Sequence, residues 1–208
     1  MAGYSYELFQ YEAQQLAAAS QATHRLDVMW DWHPAESPRD GFLSKRGRCR
    51  PHAPSASATA EPPQSQIEEP TADDPAEFVV SRESTAEAPS FECHILFSRT
   101  YGVPALYFNG YHSDGTPLGA DQVVLGLFAN PALLDAESRW STLTQEEHPT
   151  LGTPFFLLHP CRARELLSQL TSGRLSPSVP LLVSWLSIYG PVLGIRDCGI
   201  SLFHSHAP

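Results

Sequence analysis

A mixed fold of helices and antiparallel strands is predicted by three features of this 208-residue chain. An apolar stripe of helical period opens it, two strand-length segments with hairpin spacing lie near its middle, and two further helical stripes follow. The first stripe, Tyr4 to Ala22, carries Leu8, Phe9, Ala13, Leu16, Ala17 and Ser20 at three- and four-residue steps, with Glu7, Gln10, Gln14 and Gln15 between them. That is an amphipathic helix with Ser5 as its cap. Trp30, Asp31, Trp32, His33 and Pro34 follow, and Pro34 stops any helical continuation. The two tryptophans suit a strand edge packed on the core or a binding surface.

From Pro51 to Ala88 the composition turns to Pro, Ala, Ser and acids. Such a stretch buries too little apolar surface to offset backbone ordering at roughly 1 to 2 kcal/mol per residue, so it reads as a disordered insert. Between Glu61 and Glu92 nine acids face one base, Arg82, so most of the chain's formal charge of −10 sits there. That total, from 13 Lys and Arg against 23 Asp and Glu, disfavours nucleic acid and anionic membrane surfaces as partners.

Phe91, Cys93, Ile95 and Phe97 alternate with Glu92, His94 and Ser98, the period of a half-buried strand. Val103 to Tyr111 is a second strand, and Arg99 to Gly102 between them fits a hairpin with Gly102 at positive φ. Ser113, Asp114 and Gly115 form the next turn, and Asp121 to Phe128 reads as a short helical piece or part of a longer connection. Leu143 to His148 is polar, Pro149 to Pro154 turn-rich, and Phe155 to Leu158 an apolar run of strand length. Helices are predicted over Arg162 to Leu170, with Leu166, Leu167 and Leu170 inward, and over Val179 to Tyr189, stopped by Gly190 and Pro191. The chain divides into residues 1–44 (N-terminal helix and first strand region), 45–90 (acidic insert), 91–196 (core) and 197–208 (C-terminal tail).

The N-terminus lacks the pattern of a secretory signal, and the most apolar stretch, Pro180 to Ile195, is broken by Ser184, Ser187, Gly190 and Pro191. A cytoplasmic protein without a transmembrane segment is expected. Cys49, Cys93, Cys161 and Cys198 form no CxxC pair, which argues against a disulfide framework or a zinc ribbon. Cys198 with His204 and His206 matches no common zinc spacing.

Cys161 stands apart. A strand delivers the chain to His159 and Pro160, and a helix begins beyond it, so the thiol would meet the positive end of a helix dipole with Arg162 and Arg164 nearby. A nucleophile is coherent there, and so is a small core hydrophobe at an element boundary. Cys93 reads as core and Cys49 as an inert thiol in a basic loop. A cysteine hydrolase would also need a histidine within reach, and His148, His159 and His204 are the candidates.

Several blocks, in order, resemble the autophagy-related ubiquitin-like-conjugating enzymes. They are Trp30-Asp31-Trp32 with Asp40-Gly41; Val103, Pro104, Leu106, Tyr107 and Phe108; Asp114, Gly115, Pro117 and Leu118; Gln145 to Pro149; Leu151, Gly152, Pro154, Phe155 and Phe156; Leu158 to Cys161; and Ser184 to Ile188 with Gly190, Pro191, Val192 and Gly194. The short chain and the Ser-Trp-Leu-Ser block resemble the branch that forms protein-to-protein conjugates.

The resemblance implies an α+β, ubiquitin-conjugating-enzyme-like core, an antiparallel sheet flanked by helices. It implies Cys161 as catalytic thioester acceptor, with His159 and Pro160 shaping the active-site loop and the Trp185 helix as support. The implied partners are autophagy-related protein 12 as modifier, autophagy-related protein 7 as its activating enzyme and autophagy-related protein 5 as the lysine-bearing acceptor. No metal or organic cofactor is implied. Ordinary ubiquitin carriers place His-Pro-Asn before the cysteine, its Asn serving the oxyanion; here His148-Pro149-Thr150 stands instead, so the oxyanion donor is unassigned. Relatives carry a strand region where Ser44 to Pro89 shows no strand pattern, so either part of a sheet edge is missing or the segment is a variant reading of the gene. A non-catalytic adaptor for modifier or acceptor, and a hydrolase of such conjugates, are the alternative functions.

Overall fold

The computed structural model describes residues 4–36, 40–48, 89–127, 143–160, 163–172, 179–195 and 197–204, except the side chains of 124–127, 171–172 and 204. Helix α1 spans Tyr6–Ala22 and is capped as its sequence predicts, the Leu8 N–H donating to Ser5 Oγ at 3.3 Å. Strands β1 (Asp31–His33), β2 (Phe42–Arg48), β3 (Ser90–Ser98) and β4 (Val103–Tyr111) follow, then α2 (Ala120–Leu127), β5 (Leu143–Glu147) and β6 (Pro154–Leu158). Helices α3 (Ala163–Ser172) and α4 (Leu181–Tyr189), a 3-10 turn over Gly190–Leu193 and helix α5 (Ile200–His204) complete the described chain.

The strands form one antiparallel sheet of six in the order β1-β2-β3-β4-β6-β5. Its period-two alternation sorts side chains onto two faces. Trp32, Leu43, Cys93, Ile95, Leu106, Phe108, Phe156 and Leu158 face the helices. There they join Phe9, Leu16, Trp185 and Leu186 in the main core. Opposite them Phe42, Leu96, Ala105, Tyr107, Phe155 and Leu157 form a second, smaller cluster. The predicted half-buried strand at β3 is therefore buried on both faces along its middle, with His94 and Leu96 on the second face.

Three expectations are corrected. Residues 45–48 are not part of an insert: Lys-Arg-Gly-Arg completes β2 and pairs with β3 from Lys45↔Cys93 to Arg48↔Ser90. The basic residues hid it. Lys45 is buried yet keeps its ammonium on the carbonyls of Asp27 and Met29, at 2.7 and 3.1 Å, while Arg46 reaches Glu92 at the surface. The sheet edge expected to be lost is thus present. Polar Leu143 to Glu147 is β5, an edge strand whose exposed residues leave no apolar alternation to read. The tail beyond 197 carries α5, and Cys198 before it is buried. At the other end of the 45–90 segment Ser90 opens β3, while residues 49–88, Cys49 among them, and His206 lie outside the described residues.

Two turns match their sequence signals. Gly102 has φ 65° and closes the β3–β4 hairpin, donating to Ser98 O at 2.7 Å. The α4 helix starts two residues later than predicted and ends before Gly190, as expected; the chain then makes a further 3-10 turn, with Gly194 left-handed at its end. Among the described residues no helix is long and apolar enough to cross a membrane.

Candidate active site

Strand β6 is all but sealed, Phe155 to Leu158 being buried, because it lies between β4 and β5 with Leu158 opposite both Leu106 and Leu143. A strand so held delivers the chain to a fixed point. His159 is half-buried there, Pro160 is buried, and α3 begins at Ala163. Cys161 and Arg162, between them, lie outside the described residues.

The tip of the β3–β4 hairpin is fastened to both sides of this junction. Tyr101 Oη is 3.2 Å from His159 Nε2, with the two rings edge to face at 5.3 Å between centroids. On the far side, Arg164 Nε and Nη2 donate to the Tyr101 carbonyl at 3.0 and 2.5 Å. Its guanidinium, predicted to favour a neighbouring thiolate, is therefore directed at a backbone oxygen. Positive φ at Gly102 lets the hairpin turn under this clamp, and a side chain there would be strained whatever its neighbours.

A cleft of about 330 Å³ opens where the hairpin, the β5–β6 turn and the end of β6 meet. Asp40, Arg99, Tyr101, Glu146, Pro149 and His159 are among its walls, and Pro160 also lines it. Its floor is the apolar second face, Leu96, Ala105, Tyr107 and Leu157. Arg99 and Asp40 form a two-pronged ion pair across one wall, both contacts 2.7 Å.

The chain matches the family "Autophagocytosis associated protein, active-site domain" over residues 9–197. It belongs to that family. The human ubiquitin-like-conjugating enzyme ATG10 is 34% identical over 177 residues, which is 80% of this chain and 79% of that protein. The Arabidopsis thaliana protein of the same name is 45% identical over 53% of this chain and 51% of its own. The Dictyostelium discoideum one is 32% identical over 51% of each. The chain thus spans most of the human relative and about half of the other two. A crystal structure of the autophagic E2 Atg10 is 18% identical, with a TM-score of 0.49, over 94% of this chain and 99% of that one.

As a member of this family the chain is a ubiquitin-like-conjugating enzyme of autophagy, a transferase that works with a ubiquitin-like modifier and an activating enzyme. Of the residues singled out in its sequence, the structure brings Pro149, His159 and Pro160 onto one cleft. His148, a candidate base, is elsewhere engaged. Its ring is fully buried, Nδ1 accepts the N–H groups of Thr150 and Leu151 at 3.2 and 3.1 Å, and Nε2 lies 2.9 Å from His94 Nδ1. It does not face the cleft as a base for a nucleophile. The His204 ring lies outside the described residues.

Cys93 and Cys198 are core thiols. Burial pushes both up to about 12, and Cys198 Sγ points at the carbonyls of Leu186 and Ile195. Among the described residues no cluster of His, Cys, Asp or Glu could hold a metal ion. Sequence reasoning missed Tyr101, Arg99 and His94 as neighbours of the site. Tyr101 sits in a hairpin turn 58 positions from His159, and no spacing rule links residues so far apart.

Proposed function

We propose that Cys161 accepts the C-terminal glycine of autophagy-related protein 12 from autophagy-related protein 7 as a thioester. It then passes the glycine to a lysine of autophagy-related protein 5 in the cytosol, as a step in autophagosome assembly. One observation carries the reading: β6 delivers the chain to His159 and Pro160 on the wall of an open cleft, and Cys161 is the next residue of the sequence.

The chemistry asks for little beyond that placement. The Cys161 thiolate attacks the thioester carbonyl on the activating enzyme; a new C–S bond forms, the old one breaks, and the activating enzyme's thiolate leaves. A neutral lysine amine of the acceptor next attacks the same carbonyl. The C–N bond forms, Cys161 leaves as thiolate, and the nitrogen sheds its proton to water. In both steps the carbonyl oxygen becomes negative.

The unassigned oxyanion donor is then Tyr101. Tyr101 Oη lies 3.2 Å from His159 Nε2, and with the imidazole hydrogen on Nε2 the ring donates to Oη and the phenolic hydrogen is the one that donates to that oxygen. An adaptor would need the fold but not this arrangement.

Incubation of the protein with activating enzyme, ATP and modifier, followed by a nonreducing gel, tests the reading. A thiol-sensitive adduct that acceptor protein converts to an isopeptide conjugate is expected. Absence of any adduct, or cleavage of a preformed conjugate instead, would overturn it.

A further inference from the structure

The second face of the sheet carries a polar chain that the transfer chemistry leaves unused. It starts in the β5–β6 turn, residues 148–153. The His148 N–H donates to Thr153 O at 2.8 Å and Gly152 donates to His148 O at 2.9 Å, while Thr150 and Leu151 donate to His148 Nδ1. A ring nitrogen that accepts two N–H bonds carries no proton, so the hydrogen of neutral His148 is on Nε2. His148 Nε2–H therefore donates to His94 Nδ1 at 2.9 Å. That fixes the second ring too: His94 holds its hydrogen on Nε2, which faces Glu92 Oε1 at 3.4 Å. Glu92 in turn accepts from Arg46 at 2.7 and 3.0 Å. The rings are packed by Phe42, Tyr107 and Phe155, and His33 stacks on Phe42.

The structure assigns His94 as a positioning residue for the transfer reaction: it holds His148 in the Nε2–H form, and that form shapes the turn whose Pro149 walls the active-site cleft. The connection to the site is short and physical. Pro149 and His159 line the same cleft, and the Thr150 hydroxyl donates to the Asp40 carbonyl at 3.3 Å. Asp40 is the residue that holds Arg99 on the opposite wall. Should His148 move its proton to Nδ1, that nitrogen would point a hydrogen at two N–H donors and the turn would open. His94 prevents this from a strand on the far side of β4 and β6, which is why no spacing in the sequence reveals it.

This inference rests on the carrier reading for its rate consequence and not for its tautomers, and the experiment separates the two. Long-range nitrogen–proton NMR of the full chain at pH 7.5 is expected to show single tautomers, with Nδ1 unprotonated and Nε2 protonated in both His94 and His148. His94→Phe removes the acceptor; His94→Asn restores it, since Oδ1 branches from Cγ as Nδ1 does. Phe is expected to mix the His148 tautomers and slow adduct turnover to acceptor roughly tenfold to a hundredfold, as small misplacements at reacting centres do, and Asn to recover most of both. An Nδ1–H tautomer of His148 in the unaltered protein would overturn the proposal, whether or not the variants fold. So would a folded His94→Phe protein with unchanged tautomer and rate. The expected tautomers together with no adduct at all would sink the carrier reading and leave the histidine relay standing as a turn-fixing device.

Discussion

Two side chains on the cleft side of the junction, Tyr101 and His159, make the residue-scale account testable. Tyr101→Phe keeps the ring that packs on His159 and removes only the hydroxyl. Loss of one oxyanion donor is expected to lower transfer to acceptor by about a hundredfold while leaving the fold intact. Single-turnover chase of the adduct measures it, and an unchanged rate would remove Tyr101 from the mechanism. The histidine pair yields a second expectation. Burial pushes His94 and His148 down from 6.5 to about 4; repulsion from His94 adds to the shift at His148 and repulsion from His33 adds to it at His94, while Glu92 opposes it at both. Both groups are lowered, so the unfolded chain binds protons that the folded chain refuses between those values. Their contribution is complete above about pH 6.5 and is lost as pH falls toward 4. Unfolding free energies from urea denaturation at pH 7.5 and pH 5 should differ by about 2 kcal/mol for one such group, the lower pH being weaker, and a flat profile would contradict the burial argument.

At the scale of elements, the contact between α1 and α4 turns on Glu12. It is buried, and its carboxylate accepts the Leu181 and Leu182 N–H groups at 2.8 and 3.0 Å and the Tyr4 hydroxyl at 2.7 Å. Pro180 at the N-cap offers no side-chain bond, so a carboxylate from another helix satisfies the first turn. Burial, and after it the same carboxylate, raises the Tyr4 hydroxyl well above its ordinary value. Glu12→Ala should cost about 2 to 3 kcal/mol in urea denaturation, and Glu12→Gln less, because it keeps one acceptor; an alanine variant within about 0.5 kcal/mol of the parent would refute this role. Helical periodicity exposed most of α1: Phe9, Ala13, Leu16, Ala17 and Ser20 are buried as their spacing predicts. It erred at Leu8, which is partly exposed, and could not find Glu12, whose burial depends on partners 169 and 170 positions away. For the same reason β2 and β5 were illegible. A strand that hides its apolar content behind Lys45 and Arg46, or ends a sheet in Gln145, Glu146 and Glu147, lacks the alternation that betrays β3 and β4.

On the scale of the whole molecule, the register of β2 and β3 makes the acidic stretch separable from the fold. Arg48 lies opposite Ser90, so the segment between them leaves and returns at one point of the sheet. Replacing residues 50–88 by a four-residue turn should keep the sheet. Closing the shorter loop should also raise stability by on the order of 1 to 2 kcal/mol. Thermal unfolding tests this, and a variant that no longer unfolds cooperatively would show that the sheet needs the segment. Eight acids and two arginines would leave with it, taking six of the ten net negative charges. The fold class and the family were legible because both reside in short blocks of sequence, Trp30-Asp31-Trp32 at one end and Leu158 to Cys161 at the other. The cleft was not, since its walls come from the hairpin tip, the 148–153 turn and Asp40, which only the sheet order brings together.

The central claim concerns a single atom, the sulfur of Cys161. Cys161→Ser, charged with activating enzyme, ATP and modifier and resolved on a nonreducing gel, tests it most directly. A thiol-resistant oxyester in place of the thiol-sensitive adduct is the predicted result. A thiol-sensitive adduct that persists unchanged in Cys161→Ser would place the modifier on another cysteine and contradict the account.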